Sequence, residues 1–297
     1  MRLLVTGASG LLGNRLVELA LQRGHDVISC YKDHAPLLGK PLALDLIHDT
    51  EVRKAFSETH PDAVVNTAAM TDVDRCELEP EAAFAANGIS VSNLARAAKE
   101  TNSFIIQVST DYVFDGEKGN YSEYDETRPI NKYGESKLEG ERAVMNELDE
   151  KTWSIARSSV VYGWGRASRP NAATFVYEKL SRREGIRMVR DQFSSPTFNT
   201  SLGTMLIEIA ERKLPGILHT SGATRLSRFD FAVGLAKTFE LDATLIKAVQ
   251  ARDLHWKAKR PADSSLNVGR AQKLLRESPL NIGSAYEALR REHVDED

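Results

Sequence analysis

The sequence predicts an α/β fold, a Rossmann-type doubly wound parallel sheet with a smaller, partly interleaved C-terminal lobe. Three observations predict it. Over the first 160 residues, short apolar runs alternate with amphipathic helical stretches, which is the rhythm of βαβ units. Runs such as Ala63-Val64-Val65 and Phe104-Ile105-Ile106 are continuously apolar, as strands covered on both faces are. A turn with three glycines joins the first strand to the first helix.

Taken in order, the pattern gives a strand over 3–6, a helix over 14–23, and short strands over 27–30 and 42–44. A helix over 49–58 leads to a strand over 63–67. One Ala-rich helix is expected over 77–100, then a strand over 104–108, a helix over 131–147 and a strand over 153–161. Beyond residue 160 the rhythm loosens. Residues 163–171 read as a loop over a site and 191–199 as a second polar loop; 217–220 is one more strand and 228–240 an amphipathic helix. The stretch 251–267 is the most basic, with Arg252, His255, Trp256, Lys257, Lys259 and Arg260. The expected division is a dinucleotide-binding domain over 1–160, rejoined by a segment near 197–222, and a mainly substrate-binding lobe over 161–297.

Composition narrows the function classes. The 297 residues carry 39 basic and 42 acidic side chains, a formal charge of −3, with 41% apolar and 27% charged residues. That is a globular balance with no electrostatic footprint for nucleic acid or an anionic membrane. No apolar run approaches the roughly 18 residues that span a bilayer. Strand character begins directly after Met1, so no signal peptide is expected and the location expected is cytoplasmic. Cys30 and Cys76 have neither CxxC spacing nor a nearby His partner, so no disulfide scaffold or metal site is expected.

The turn reads Gly7-Ala8-Ser9-Gly10-Leu11-Leu12-Gly13. Gly7 permits the tight turn, Gly10 lets backbone approach a pyrophosphate, and Gly13 lets helix pack closely on strand. The phosphates then meet free N–H groups at the positive end of the helix. An ordinary βα turn can also be glycine-rich, and the position between strand and helix decides for the dinucleotide. At the end of the second strand Ser29-Cys30-Tyr31-Lys32 stands where an NAD-specific site carries an acid. Lys32 suits the 2′-phosphate of NADPH, and Asp33 keeps NADH open.

Tyr133-Gly134-Glu135-Ser136-Lys137 is a YxxxK pair within a helical run, so phenol and ammonium share one face. A cation beside a phenol favours phenolate and lowers its pKa from about 10. Such a Tyr can protonate a carbonyl oxygen as hydride arrives at carbon. Alone the pair is weak evidence, because chance produces it. The Ser109-Thr110-Asp111 cluster just past the preceding strand strengthens it, although such a cluster also caps helices.

The GxxGxxG spacing resembles the extended short-chain dehydrogenase/reductase superfamily. Longer stretches resemble the dTDP-4-dehydrorhamnose reductase family: VNTAAMTDVDRCE at 65–77, STDYVFDG at 109–116, NKYGESKLEGE at 131–141, DQFSSPT at 191–197 and RPADSSLN at 260–267. The resemblance covers essentially the whole chain and implies NADPH-dependent reduction of the 4-keto group of a dTDP-sugar. It implies a catalytic set of Thr110, Tyr133 and Lys137, with Lys137 also touching the cofactor ribose. It places Gly7, Ser9, Gly10, Leu11, Leu12, Gly13, Lys32, Asp45, Leu46, Ala68 and Ala69 along the cofactor. Toward the substrate it places Thr71, Val73, Thr110, Tyr133, Trp164 and Arg260. Arg260 would pair with the diphosphate, against the plainer reading of a structural ion pair; for Trp164 the plainer reading is packing in the second lobe. One departure stands out: the family's R-T-S-W-V-Y reads Arg157-Ser158-Ser159-Val160-Val161-Tyr162 here, so Val160 replaces a pocket aromatic. The methionine adenosyltransferase β subunit resembles the same family, so a regulatory dinucleotide-binding subunit is the alternative reading, and a nucleotide-sugar epimerase another. A nucleotide-sugar substrate and a homodimer are the partners expected.

Overall fold

A computed structural model describes residues 1–165 and 170–296. Along the chain β1 (Arg2–Thr6) leads through the glycine turn to α1 (Leu11–Gln22), β2 (Asp26–Tyr31) and β3 (Lys40–Ala43). Then come α2 (Asp49–Thr59), β4 (Ala63–Asn66), α3 (Val73–Leu78), α4 (Pro80–Phe84), a π-helical turn (Ala85–Ile89) and α5 (Ser90–Thr101). Next are β5 (Phe104–Thr110), α6 (Lys132–Glu147), β6 (Trp153–Ser158), β7 (Val161–Tyr162) and α7 (Ala172–Ser181). The remainder is β8 (Ile186–Val189), β9 (Phe193–Ser194), β10 (Thr197–Phe198), α8 (Asn199–Arg212), β11 (Gly216–His219), β12 (Leu226–Ser227), α9 (Arg228–Thr238), β13 (Ile246–Val249), α10 (Gly269–Leu274) and α11 (Ile282–Glu296).

Seven strands form one parallel sheet in the order β11-β6-β5-β4-β1-β2-β3. Its interior strands are apolar throughout because helices cover both faces. Leu16, Val17 and Ala20 of α1 pack with Leu202, Met205 and Leu206 of α8 on one side. Val52 and Phe56 of α2, Leu94 of α5 and Val144 of α6 pack on the other. The α/β expectation is met. The strand order reverses between β1 and β4, and ligands of open α/β sheets bind in the crevice at that point. A third apolar cluster, with Tyr162, Phe231, Leu235 and Leu289, forms the core of the smaller lobe.

Several elements differ from the sequence reading. The single helix expected over 77–100 is broken: α3 ends at Glu79 (φ −125°, ψ 60°) because Pro80 follows, and a residue before proline is driven from helical geometry. The π-helical turn then widens the next helix at Asn87, whose side chain is engaged elsewhere. The polar loop expected over 191–199 instead holds β9 and β10, with Ser194, Ser195, Pro196, Thr197 and Phe198 all buried. Their hydroxyls are satisfied internally, Thr197 Oγ1 donating to Ser159 O at 2.6 Å and Ser195 Oγ accepting from Leu266 N at 3.1 Å. The strand expected over 42–44 lies at Lys40–Ala43. The loop expected over 163–171 lies partly outside the described residues.

At Gly13 an added Cβ would lie 2.2 Å from Gly7 O and 2.8 Å from Gly7 C, both backbone atoms that cannot swing away. Gly13→Ala therefore lowers stability by about 1–3 kcal/mol through overpacking, although alanine is the better helix former by about 1 kcal/mol. Urea unfolding checks the sign, and a raised midpoint would refute the close approach.

Candidate active site

The cofactor end of the crevice is built from the two turns after β1 and β4. Gly7 adopts φ +65°, and a Cβ there would meet Ala68 N and Cα at 2.8 Å. Gly10 N donates to Gly7 O at 2.9 Å. Gly10 caps α1 without a side-chain acceptor, and no acidic residue sits in the first turn. That leaves N–H groups and the positive end of the helix for an anion, so the cradle fits a pyrophosphate. Ser9, Leu11 and Leu12 are half-buried around it. The β4 side is held rigidly: Asn66 Oδ1 accepts from Ala68 N at 3.2 Å, and buried Asn87 brackets Met70, its Oδ1 accepting from Met70 N and its Nδ2 donating to Met70 O. Asn87 Nδ2 also donates to Ser136 Oγ at 2.9 Å, tying this loop to the residue before Lys137. Sequence reasoning missed Asn87, because a lone Asn in an Ala-rich helix carries no spacing signal.

Lys32 and Asp45, both expected along the cofactor, meet: Lys32 Nζ lies 2.8 Å from Asp45 Oδ2. Their hydrogen bond raises the lysine pKa and lowers that of the carboxyl. One cation and one acceptor therefore stand at the place where the ribose end of a dinucleotide is expected. Leu46 is a core residue packed with α2 and α5, and its carbonyl accepts from Asn93 Nδ2.

Thr110, Tyr133 and Lys137 converge. Asn131 caps α6, Oδ1 accepting from Gly134 N at 2.8 Å. A Cβ at Gly134 would sit 2.1 Å from Tyr112 O, so glycine is what lets the first turn of α6 abut the end of β5. Lys137 is 3% exposed and its Nζ donates to Val108 O at 2.8 Å. Tyr133 is half-buried, edge-on to Tyr112 with ring centroids 5.9 Å apart, and the Thr110 hydroxyl acts on its phenol while donating to Asp111 Oδ1 at 3.1 Å.

The electrostatics differ from the expected lowering of the Tyr133 pKa. Burial dominates and pushes the phenol up, with the Thr110 hydrogen bond only partly opposing it. Burial pushes the Lys137 ammonium down to about 8. The phenol is thus protonated at neutral pH, the form a proton donor requires.

The smaller lobe holds a cavity of about 440 Å³ whose wall includes Val160, Phe175, Arg187, Arg228 and Trp256. Val160 is held at φ +40°, unusual for a β-branched residue, and its carbonyl accepts from Thr197 N at 3.1 Å. Arg228, missed from the sequence because an isolated arginine opening a helix carries no motif, is fixed by Gln192 Oε1 at 2.7 Å and sets its charge near the Tyr112 phenol. Its guanidinium lies 5.7 Å from the Trp256 ring centre.

Arg260 and Trp164 are engaged differently from the substrate contacts expected of them. Arg260 is drawn into the plainer arrangement: Nη1 donates to Asp74 Oδ1 at 3.0 Å and to Ala258 O at 2.9 Å, 5.2 Å from the Trp256 ring. It borders the adjoining 350 Å³ cleft, already paired. Trp164 lines neither cavity: its Nε1 donates to Leu289 O at 2.7 Å and its ring stacks on His293 at 4.6 Å, within the apolar core of the smaller lobe. An apolar ring with a satisfied N–H has more to gain in that core than at a polar wall. Thr71 is exposed, and Val73, half-buried, opens α3. Among the described residues no cluster of three or more His, Cys, Asp or Glu is placed to hold a metal.

Against known proteins, the model of the RmlD substrate binding domain matches residues 1–289. The chain belongs to the dTDP-4-dehydrorhamnose reductase family. A family member from Aggregatibacter actinomycetemcomitans is 33% identical, over 97% of this chain and 98% of that one. A crystal structure of a hypothetical dTDP-4-dehydrorhamnose reductase from Sulfolobus tokodaii is 37% identical with a TM-score of 0.85, covering 95% and 97% of the two chains. The Bacillus anthracis family structure, a complex with NADP, is 28% identical with a TM-score of 0.86, covering 98% and 99%. Methionine adenosyltransferase 2 subunit beta of Bos taurus is 29% identical over 95% of this chain and 85% of its own. Family membership makes the chain an NAD(P)-dependent oxidoreductase.

Trp164→Ala separates core from pocket. It should lower stability by about 3–5 kcal/mol, as loss of a buried indole does, while KM for the substrate stays at its wild-type value. Denaturant midpoints and initial rates measure both, and a raised KM at unchanged stability would return Trp164 to the substrate wall.

Proposed function

We propose that this family member reduces the 4-keto group of dTDP-4-dehydro-L-rhamnose with NADPH, giving dTDP-L-rhamnose. The observation that carries the reading is the convergence of Thr110, Tyr133 and Lys137 at the end of β5, in a chain whose smaller lobe holds a cavity walled by Arg187 and Arg228. The Bacillus anthracis relative bound to NADP supports the cofactor, and Lys32 supplies a cation for a 2′-phosphate. NADH remains compatible, because Asp45 beside Lys32 is a ribose-hydroxyl acceptor. Residues 1–160, with the returning 197–222, would hold the dinucleotide, and the rest the sugar nucleotide. No helix among the described residues is long and apolar enough to cross a membrane, which accords with cytoplasmic work on a nucleotide sugar.

When bound, the nicotinamide supplies hydride to the sugar C4. The chain's own part is to hold and protonate the oxygen. Thr110 anchors it, and Tyr133, kept as phenol by burial, passes its proton across as charge develops there. Lys137, fixed through Val108 O, sets a positive charge beside the phenolate that results. Arg228, with Arg187 on the same wall, faces the diphosphate, where guanidinium geometry suits paired oxygens. Val160, smaller than the aromatic it replaces, leaves room at the sugar and is expected to broaden sugar selectivity.

The test is loss of NADPH absorbance with a panel of nucleotide 4-keto sugars, with products identified by NMR. Wild type should reduce the dTDP-4-keto-6-deoxy-L-sugar. Tyr133→Phe should slow reduction by roughly 10²–10⁴ while NADPH still binds. Reduction of none of the panel, with tight binding to a methionine adenosyltransferase catalytic subunit, would overturn the reading in favour of a regulatory subunit.

A further inference from the structure

One turn below Lys137 on the same face of α6 lies Glu141, fully buried. Its carboxylate is engaged from two adjacent strands. Ser109 Oγ of β5 donates to Oε1 at 2.5 Å, while Arg157 of β6 closes a two-pronged pair, Nε to Oε1 at 2.9 Å and Nη2 to Oε2 at 2.7 Å. Ser109 and Arg157 are register partners in the parallel ladder, so both reach Glu141 from one side of the sheet. The side chains of Glu141 and Arg157 are 0% and 3% exposed.

A buried ion pair is weak evidence for stability, because desolvation offsets most of the attraction. Here a second cation, Lys137, stands one helical turn from the anion, and consecutive residues of β5 hold the two: Val108 O takes Lys137 Nζ and Ser109 Oγ reaches Glu141. Of the titratable groups on elements packed against α6, Cys76 of α3 and Glu141 act on the Lys137 ammonium, whereas Asp111 and Tyr112 face the Tyr133 phenol. Arg157 is committed to Glu141 and rests 5.2 Å from the Phe114 ring centre. Burial works against charge on Lys137, and Glu141 works for it.

We propose that Glu141, locked by Arg157 and Ser109, is a positioning residue that keeps Lys137 an ammonium and holds it at the end of β5 beside Tyr133. The inference rests on the catalytic role given to Lys137 above. In terms of charge, three buried groups (Lys137, Glu141, Arg157) carry two positive charges and one negative. An arginine does not release its proton, so loss of the carboxylate must be answered by Lys137.

Lysine ¹³Cε NMR on the cofactor-free full chain reads this directly, with Lys137→Met assigning the signal. The wild-type Lys137 signal should titrate near the value of about 8 set by burial. In Glu141→Gln the midpoint should fall by about one pH unit or more. Because that variant strands a buried guanidinium, Glu141→Gln/Arg157→Gln is the second variant. It removes both partners, which buried pairs tolerate far better, and should show a lowered midpoint too. The alkaline limb of the kcat/KM profile for NADPH oxidation should move down by the same amount. A folded double variant whose Lys137 titrates where wild type does would overturn the proposal, and so would failure of both variants to fold, which would mark the pair as purely structural. If wild type reduces no sugar nucleotide, the functional reading falls while the NMR midpoints still decide this one.

Discussion

The seating of α6 against the end of β5 is the constraint on which the rest depends. At Gly134 the helix lies so close to Tyr112 O that a Cβ would be 2.1 Å away, and at Gly140 a Cβ would be 2.3 Å from Asn87 O. Two glycines, six residues apart, thus let one helix press backbone to backbone against the catalytic strand and the π-helical turn together. Only in that position can Lys137 reach Val108 O and Tyr133 meet Thr110. The π-helical turn is part of the same device. It presents Asn87 to Met70 and to Ser136, so the loop beside the cofactor cradle and the catalytic helix share one clamp.

The smaller lobe is fastened to this frame by carboxylates. Asp111, next to Thr110, is pushed toward its neutral form by burial, and it accepts hydrogen bonds from Thr110 at 3.1 Å, Ser159 at 2.7 Å and Ser264 of the C-terminal segment. Asp74 in α3 takes the N–H groups of Lys257 and Ala258 together with the Arg260 guanidinium. The smaller lobe is therefore indexed to the end of β5 and to α3 and not merely laid over them. A buried acceptor stripped of its donors is strongly unfavourable, so these contacts also specify one arrangement of the lobes.

Much of this was legible in the residues. The glycine turn and the YxxxK pair carry their geometry in their spacing, and the fold follows from strands apolar on both faces. What escaped depended on partners distant in sequence. Trp164 sits beside a glycine-rich loop, yet its ring belongs to α11 through Leu289 and His293, a contact across more than a hundred residues. Residues 191–199 look like a polar loop, because hydroxyls that bond the buried backbone cannot be told from hydroxyls facing water. Arg260 and Arg228 exchange emphasis for a similar reason: Asp74, far upstream, decides which guanidinium is already spoken for. The expected lowering of the Tyr133 pKa failed because spacing places a cation near a phenol but says nothing of how deeply both are buried.

The central claim is that hydride passes to a nucleotide-sugar carbon held beside Tyr133. Isotope transfer tests it most directly: NADPH carrying deuterium at both C4 positions is incubated with the dTDP-4-keto-6-deoxy-L-sugar, and the product is read by NMR and mass spectrometry. The account predicts one deuterium per product molecule, bonded to the sugar C4, with a solvent-derived proton on the new hydroxyl. Product without deuterium at C4, or cofactor consumed with the sugar unchanged, would contradict it.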